Sequence, residues 1–207
     1  MTVIREKQNA GTDTLGGEKG RYIRRLAHGM IMIAAAYYYF PDELPVTGLP
    51  KWTLAPAAVA IVLIAERVRI KRSMYVPGMR PHEMKRLGSY TYAVIGAALV
   101  VLIAPAEVGV PSIIAMAWAD PVAGEIRNRG RSELSAAILS GATYAVIFLT
   151  IAALIELDPV TALILAACLT PVAVASESFD IVGLDDDFTM LFFPAAVGAL
   201  LWMLFLQ

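Results

Sequence analysis

Apolar positions along this chain run in long unbroken stretches, with no strand-like alternation, and seven such stretches are separated by short polar or proline-bearing breaks. A helix needs about 20 mostly apolar residues to cross a bilayer. The first stretch runs from about Arg24 to Phe40 and stops at Pro41; Tyr37, Tyr38, Tyr39 and Trp52 suit an interfacial aromatic belt. The second runs from Thr53 to about Ile70, with Pro56 in its opening turn, and the third from Leu87 to Ala104, ended by Pro105. The fifth, sixth and seventh cover about Glu133 to Ile155, Val160 to Ser176 and Phe188 to Leu206.

The fourth stretch, Val108 to Ala119, is short. At 1.5 Å per residue it reaches about 18 Å against a hydrocarbon core of about 30 Å. Asp120 followed by Pro121 has the form of a helix start, an N-cap residue with proline in the first helical position, so a break at Ala119–Asp120 and a fresh turn through Gly124 to Asn128 are expected. The fold class read from this pattern is all-α: a polytopic membrane helix bundle of about seven segments, the fourth short and broken.

Composition agrees, with 58% hydrophobic residues, 17% charged and a mean hydropathy of +0.64. The net charge of -1 conceals a segregation along the chain. Lys and Arg accumulate on the cytoplasmic side of membranes. Here they cluster before the first stretch, between the second and third (Arg67 to Arg86), and after the fourth (Arg127, Arg129, Arg131), which leaves Lys51 alone on the opposite side. That bias puts the N-terminus inside and the C-terminus outside. Residues 1–20 are polar and Gly-rich with no apolar run behind their basic residues, so they read as a mobile cytoplasmic tail rather than a signal peptide, and 21–207 as one integral membrane domain. Cys168, the single cysteine, stands in an apolar run and reads as a packing residue.

Carboxylates beside bilayer-spanning segments are expensive without a partner or a task. Two groups stand out on the inner side: Asp120 with Glu125, and Glu177, Asp180, Asp185, Asp186 and Asp187. Asp120 has a plain alternative as a helix cap, and Asp185–Asp187 another as complements to the dipole of the last helix. Neither alternative accounts for Glu177 and Asp180 just upstream. Carboxylates this dense invite a cation, and magnesium, which takes oxygen ligands and bridges to phosphates, is the match; no Cys or His is near in sequence, which makes zinc a poor one. Arg127, Arg129 and Arg131 follow Asp120 closely. They are either the positive-inside signal or forks for triphosphate oxygens. His28, one turn after Arg24, is either a packed residue or a polar contact in the same cavity, and His82 reads as a solvated loop residue.

Taken together, Arg24-Arg25-Leu-Ala-His28, Glu66-Arg67, Glu83 with Arg86-Leu-Gly88, Ala119-Asp120-Pro121-Val-Ala123, and Glu177 followed by Asp185-Asp186 resemble, in order and spacing, the CTP-dependent polyprenol kinases (dolichol and phytol kinases), which are related to the lipid cytidylyltransferases. The resemblance implies an enzyme that moves the terminal phosphoryl group of CTP onto an isoprenoid alcohol with Mg2+. It implies catalytic roles for Asp120, Asp185 and Asp186, metal contacts from Asp120, Asp180, Asp185 and Asp186, and a nucleotide cavity lined by Arg24, Arg25, His28, Arg127, Arg129, Arg131 and Glu177. Partners would be the lipid and the nucleotide, with no nucleic acid, and a homo-oligomer is left open. The chain differs from that pattern at Ala119, where the family has Gly. The Lys-Thr/Ser-x-Glu-Gly stretch after the Gly-Arg element is missing, and Asp185-Asp186-Asp187 replaces Asp-Asp-Asn. A cytidylyltransferase that makes a CDP-lipid, a membrane transporter whose broken fourth helix carries an ion or substrate site, and a non-catalytic scaffold are the alternatives.

Overall fold

The computed structural model describes residues 15–177 and 184–206. Among these the chain is helical, with one isolated bridge, Glu43 to Pro50, in a connecting loop. The helices are α1 (Gly17–Met30), continued as a 3₁₀ segment over Ile31–Tyr39, α2 (Leu54–Lys71), α3 (Ser89–Ile103), α4 (Ala106–Asn128), α5 (Glu133–Leu154), α6 (Pro159–Glu177) and α7 (Asp186–Leu201), with a π-helical turn from Trp202 to Leu206. Glu133–Leu154, Pro159–Glu177 and Asp186–Phe205 are each long and apolar enough to cross a membrane, and only about a third of each is buried inside the protein. The rest of their surface carries exposed side chains such as Leu134, Val146, Leu163 and Leu200. Such a surface suits lipid rather than water.

Proline and capping side chains set the boundaries. Phe40, before Pro41, turns extended (φ -72°, ψ 144°), and Ala104, before Pro105, does the same (φ -95°, ψ 141°). This is the preference that proline imposes on its predecessor. Ser132 caps α5 by accepting from the Ser135 amide, and Asp158 precedes α6 and accepts from the Thr161 amide at 2.9 Å.

α4 corrects the sequence reading. It runs without interruption through Asp120 and Pro121 for 23 residues, about 34 Å, so the fourth segment is neither short nor broken. The local cap signature loses to packing, because α4 lies at the centre and touches α1, the 3₁₀ segment, α3, α5 and α7. It buries Val108, Ile113, Met116, Ala119 and Ala123 almost completely. Against that burial, the single amide that Pro121 removes from the helical ladder is a small loss. The first segment also differs from expectation: it starts earlier, at Gly17, and ends as a 3₁₀ helix.

Small residues let the helices approach. A Cβ on Gly198 would sit 2.6 Å from a Val108 methyl and 2.9 Å from a Leu169 methyl, so α7 meets α4 and α6 almost backbone to side chain. Tyr38, on the 3₁₀ segment, donates to the carbonyls of Val100 and Ala104 at the end of α3, at 3.2 and 3.1 Å, and its ring lies against Gly109 of α4. One tyrosine thereby ties three elements together.

A continuous α4 makes a measurable claim. Pro121→Ala restores the missing helical hydrogen bond and raises the unfolding midpoint in detergent, by up to about 3 kcal/mol in stability. A fall of about 0.5–1 kcal/mol, from loss of a preorganised first-turn proline, would instead show a helix start at Asp120.

Candidate active site at one end of the bundle

α1 carries Arg24 and His28 four residues apart, hence on one face. That face meets Asp120 of α4 and Asp187 in the first turn of α7. His28 Nδ1 lies 3.2 Å from Asp120 Oδ2 and 3.6 Å from Asp187 Oδ1, while the Arg24 guanidinium stands 3.9 Å from Asp187 Oδ2 and 3.4 Å from Glu83 Oε1. His28, Glu83 and Asp187 are 6%, 2% and 2% exposed. Five ionisable side chains from four parts of the chain are therefore gathered where water has little access, and each depends on the others for compensation.

The scaffold behind this cluster is polar and closed. Glu66 on α2, fully buried, accepts from Arg69 at 2.5 and 2.9 Å, from the Gly88 amide at 2.8 Å and from the Tyr90 hydroxyl. Arg69 also donates to the carbonyls of Glu83 (3.0 Å) and Arg86 (2.6 Å). This pair fastens the α2–α3 connection to α2 and holds the short 3₁₀ turn Pro81–Lys85, where Glu83 accepts from the Arg80 amide at 2.9 Å. Gly78, with φ +93°, lets the same connection pass the backbone of α1: a Cβ there would be 2.8 Å from the Gly20 carbonyl oxygen and 3.2 Å from the Arg24 amide nitrogen. At the other side Thr189 donates to the carbonyls of Ser176 (2.8 Å) and Asp186 (3.1 Å), pinning the start of α7 to the end of α6.

The two acidic stretches expected to converge do so. Asp120 and Asp187 meet around His28, and Asp185, Asp186 and Asp187 form a second group; in each group the offered ligand atoms lie within 4.8 Å of one another. Asp185 is also the N-cap of α7, accepting from the Asp187 amide at 3.2 Å, so its capping role is realised. Asp180 lies outside the described residues. Glu177 is partly buried, its side chain little exposed and paired with Arg127.

The basic residues divide less evenly than expected. Arg24 belongs to the cluster, whereas Arg25 pairs with Glu125 of α4. Arg127 spends its fork on Glu133 (2.9 Å) and Glu177, locking together α4, α5 and α6, and Arg129 pairs with Glu125 at 2.9 Å. Arg131 is exposed. Arg127 and Arg129 are thus engaged in ion pairs that tie the helices together at this end. Folding brings His28 against Asp120 and Asp187, acids far from it in sequence. Asp187, read chiefly as a helix cap, is the residue shared by both carboxylate groups, and Glu83 orients Arg24. The signals for them were their places in the acidic run and beside the Arg86-Leu-Gly88 element.

A cavity of about 410 Å³ opens on this cluster, lined by Arg24, His28, Glu83 and Asp187 at one side and by residues such as Ile23, Val76 and Met79 at the other. Met30, Ile31, Ala93 and Val94 also line a second cavity of about 320 Å³, which extends between the 3₁₀ segment, α2 and α3 to Phe40 and Val101 and is almost wholly apolar. The two cavities therefore share a wall, one facing buried charge and the other almost wholly apolar. No family model, no curated protein and no solved structure matches the chain.

Burial, together with the charges of Asp187 and Asp186, pushes the Asp185 carboxyl up to about 9. The protonated group is therefore favoured by folding: its contribution is full below about pH 4, the unfolded value, and is lost as pH rises toward 9. Without divalent cations, the thermal midpoint should fall between pH 6 and 9, and Asp185→Asn should flatten that fall. An unchanged midpoint across this window in the parent protein would show that the three carboxylates do not crowd one another.

Proposed function

We propose that this chain is an integral membrane kinase that transfers the terminal phosphoryl group of CTP to the hydroxyl of a polyprenol or similar isoprenoid alcohol. In this reading it crosses the bilayer seven times, with the N-terminus and the acidic cluster on the cytoplasmic side and the C-terminus outside. The observation that carries the proposal is a pair of cavities that share Met30, Ile31, Ala93 and Val94: buried carboxylates and a guanidinium line one, and the other is almost wholly apolar. A substrate suited to both has a small reactive head and a long hydrocarbon tail.

Phosphoryl transfer requires positioning and charge stabilisation more than covalent help. Arg24, held from behind by Glu83, can turn its remaining donors to phosphate oxygens. Asp185, Asp186 and Asp187 fit a magnesium ion by their all-oxygen character, and the buried Asp187 Oδ2 has no hydrogen-bond partner among the described residues. Such an ion, when bound, neutralises charge on the triphosphate. In the transfer, the bond between the β- and γ-phosphates breaks, the lipid oxygen bonds to the γ-phosphorus, CDP leaves, and the hydroxyl proton passes to a carboxylate of the cluster. The apolar walls keep competing water from the acceptor end. A transporter reading rested on a broken fourth helix, and the continuous α4 gives it no support.

Purified protein in nanodiscs, given γ-labelled CTP, Mg2+ and a polyprenol, should yield labelled polyprenyl phosphate and CDP. Asp120→Asn should lower turnover by a factor on the order of 10² or more while the protein still inserts and folds. Release of diphosphate with a CDP-lipid from a lipid phosphate would make it a cytidylyltransferase, and near-parental turnover in Asp120→Asn would remove Asp120 from the chemistry.

A further inference from the structure

We infer that His28, Asp120 and Asp187 form a nitrogen-containing binding site for a divalent transition-metal ion of the Mn2+ to Zn2+ series, separate in its preference from the all-oxygen group Asp185–Asp187. The inference stands on the geometry of these three side chains and does not depend on the phosphoryl-transfer reading.

Three separate helices deliver the ligands, one each from α1, α4 and α7, and their ligand atoms lie within 4.8 Å of one another. His28 and Asp187 are more than nine-tenths buried, and both His28 Nδ1 and Asp187 Oδ2 lack a hydrogen-bond partner among the described residues. Buried polar atoms are rarely left so. An imidazolium ion pair would satisfy Nδ1 by directing its N–H at one carboxylate oxygen. Here Asp187 Oδ1, at 3.6 Å, lies beyond hydrogen-bonding distance, and the 3.2 Å contact with Asp120 Oδ2 does not complete a hydrogen bond. These separations are the chords between neighbouring ligands of one ion: at a metal–ligand distance of about 2.1 Å they subtend about 100° and 120°. Arg24 does not compete closely for Asp187, being 3.9 Å away.

The donor set decides the class of metal. Magnesium seeks oxygen and keeps its waters, whereas an imidazole nitrogen with two carboxylates suits the later divalent ions. Three protein ligands also leave coordination positions open to water or to a phosphate oxygen.

The test uses untagged full-length protein in nanodiscs, stripped of metal and loaded with Mn2+. The chain has two histidines, His28 and His82. Electron spin-echo spectra of the bound Mn2+ should carry the nitrogen modulation of a coordinated imidazole, and equimolar Mg2+ should fail to displace it. His82→Gln should keep the modulation. His28→Gln should lose it and weaken Mn2+ binding by about tenfold or more. If His28→Gln does not fold, the His82→Gln spectrum alone still assigns the nitrogen. Absence of Mn2+ binding, Mn2+ bound without nitrogen modulation, or displacement by equimolar Mg2+ overturns the inference. CTP turnover is measured on the same samples: product without the nitrogen signal refutes this site and leaves the kinase reading, and the signal without product does the reverse.

Discussion

Charges removed from water inside an apolar bundle must be compensated by one another, and that requirement organises this protein. The pairs form a chain: Glu66 with Arg69, Arg69 with the backbone carrying Glu83, Glu83 with Arg24, and Arg24 and His28 with Asp187 and Asp120. Apart from the Glu66–Arg69 pair, which lies within α2, the links join different elements, so the α2–α3 connection, α1, α4 and α7 are held to one another at this end. A buried pair adds little net stability, yet removing one member strands the other and costs about 3–5 kcal/mol. The arrangement therefore defines geometry more than it strengthens the fold. Elsewhere the bundle relies on close contacts of small residues, such as Gly198 against Val108 and Leu169.

Asp187 is where these roles meet. It sits in the first turn of α7, a turn anchored to α6 through Thr189 and capped by Asp185. Its carboxylate is shared between the group that contains His28 and the group of three consecutive aspartates. Any cation drawn to one group changes the charge balance of the other. The cavity of about 410 Å³ opens beside the same residue, with apolar side chains such as Ile23, Val76 and Met79 also in its lining.

Much of this was legible along the chain. Proline and charge punctuation placed most helix ends within a few residues, because Pro41, Pro105 and the caps at Ser132 and Asp158 act locally. Asp120-Pro121 misled for the same reason: it is a valid local start signal, overridden by the tertiary burial of α4, which no local pattern reports. The convergence of Asp120 with the last acidic run was readable from sidedness. The fate of the arginines was not, since Arg127 finds Glu133 and Glu177 only after folding. His28 could be read as a contact in the same cavity, but which acids it meets could not, because nothing in a linear pattern measures a distance between α1 and α7.

The central claim is that His28 and Asp187 compensate one another across the α1–α7 junction, and a double-mutant cycle on unfolding in detergent tests it most directly. With His28→Gln, Asp187→Asn and the combined variant, the account predicts a coupling energy of about 1–3 kcal/mol, the double variant losing less than the sum of the singles. Losses that add to within about 0.5 kcal/mol would mean that the two residues do not interact, and the charge chain that positions the site would be wrong.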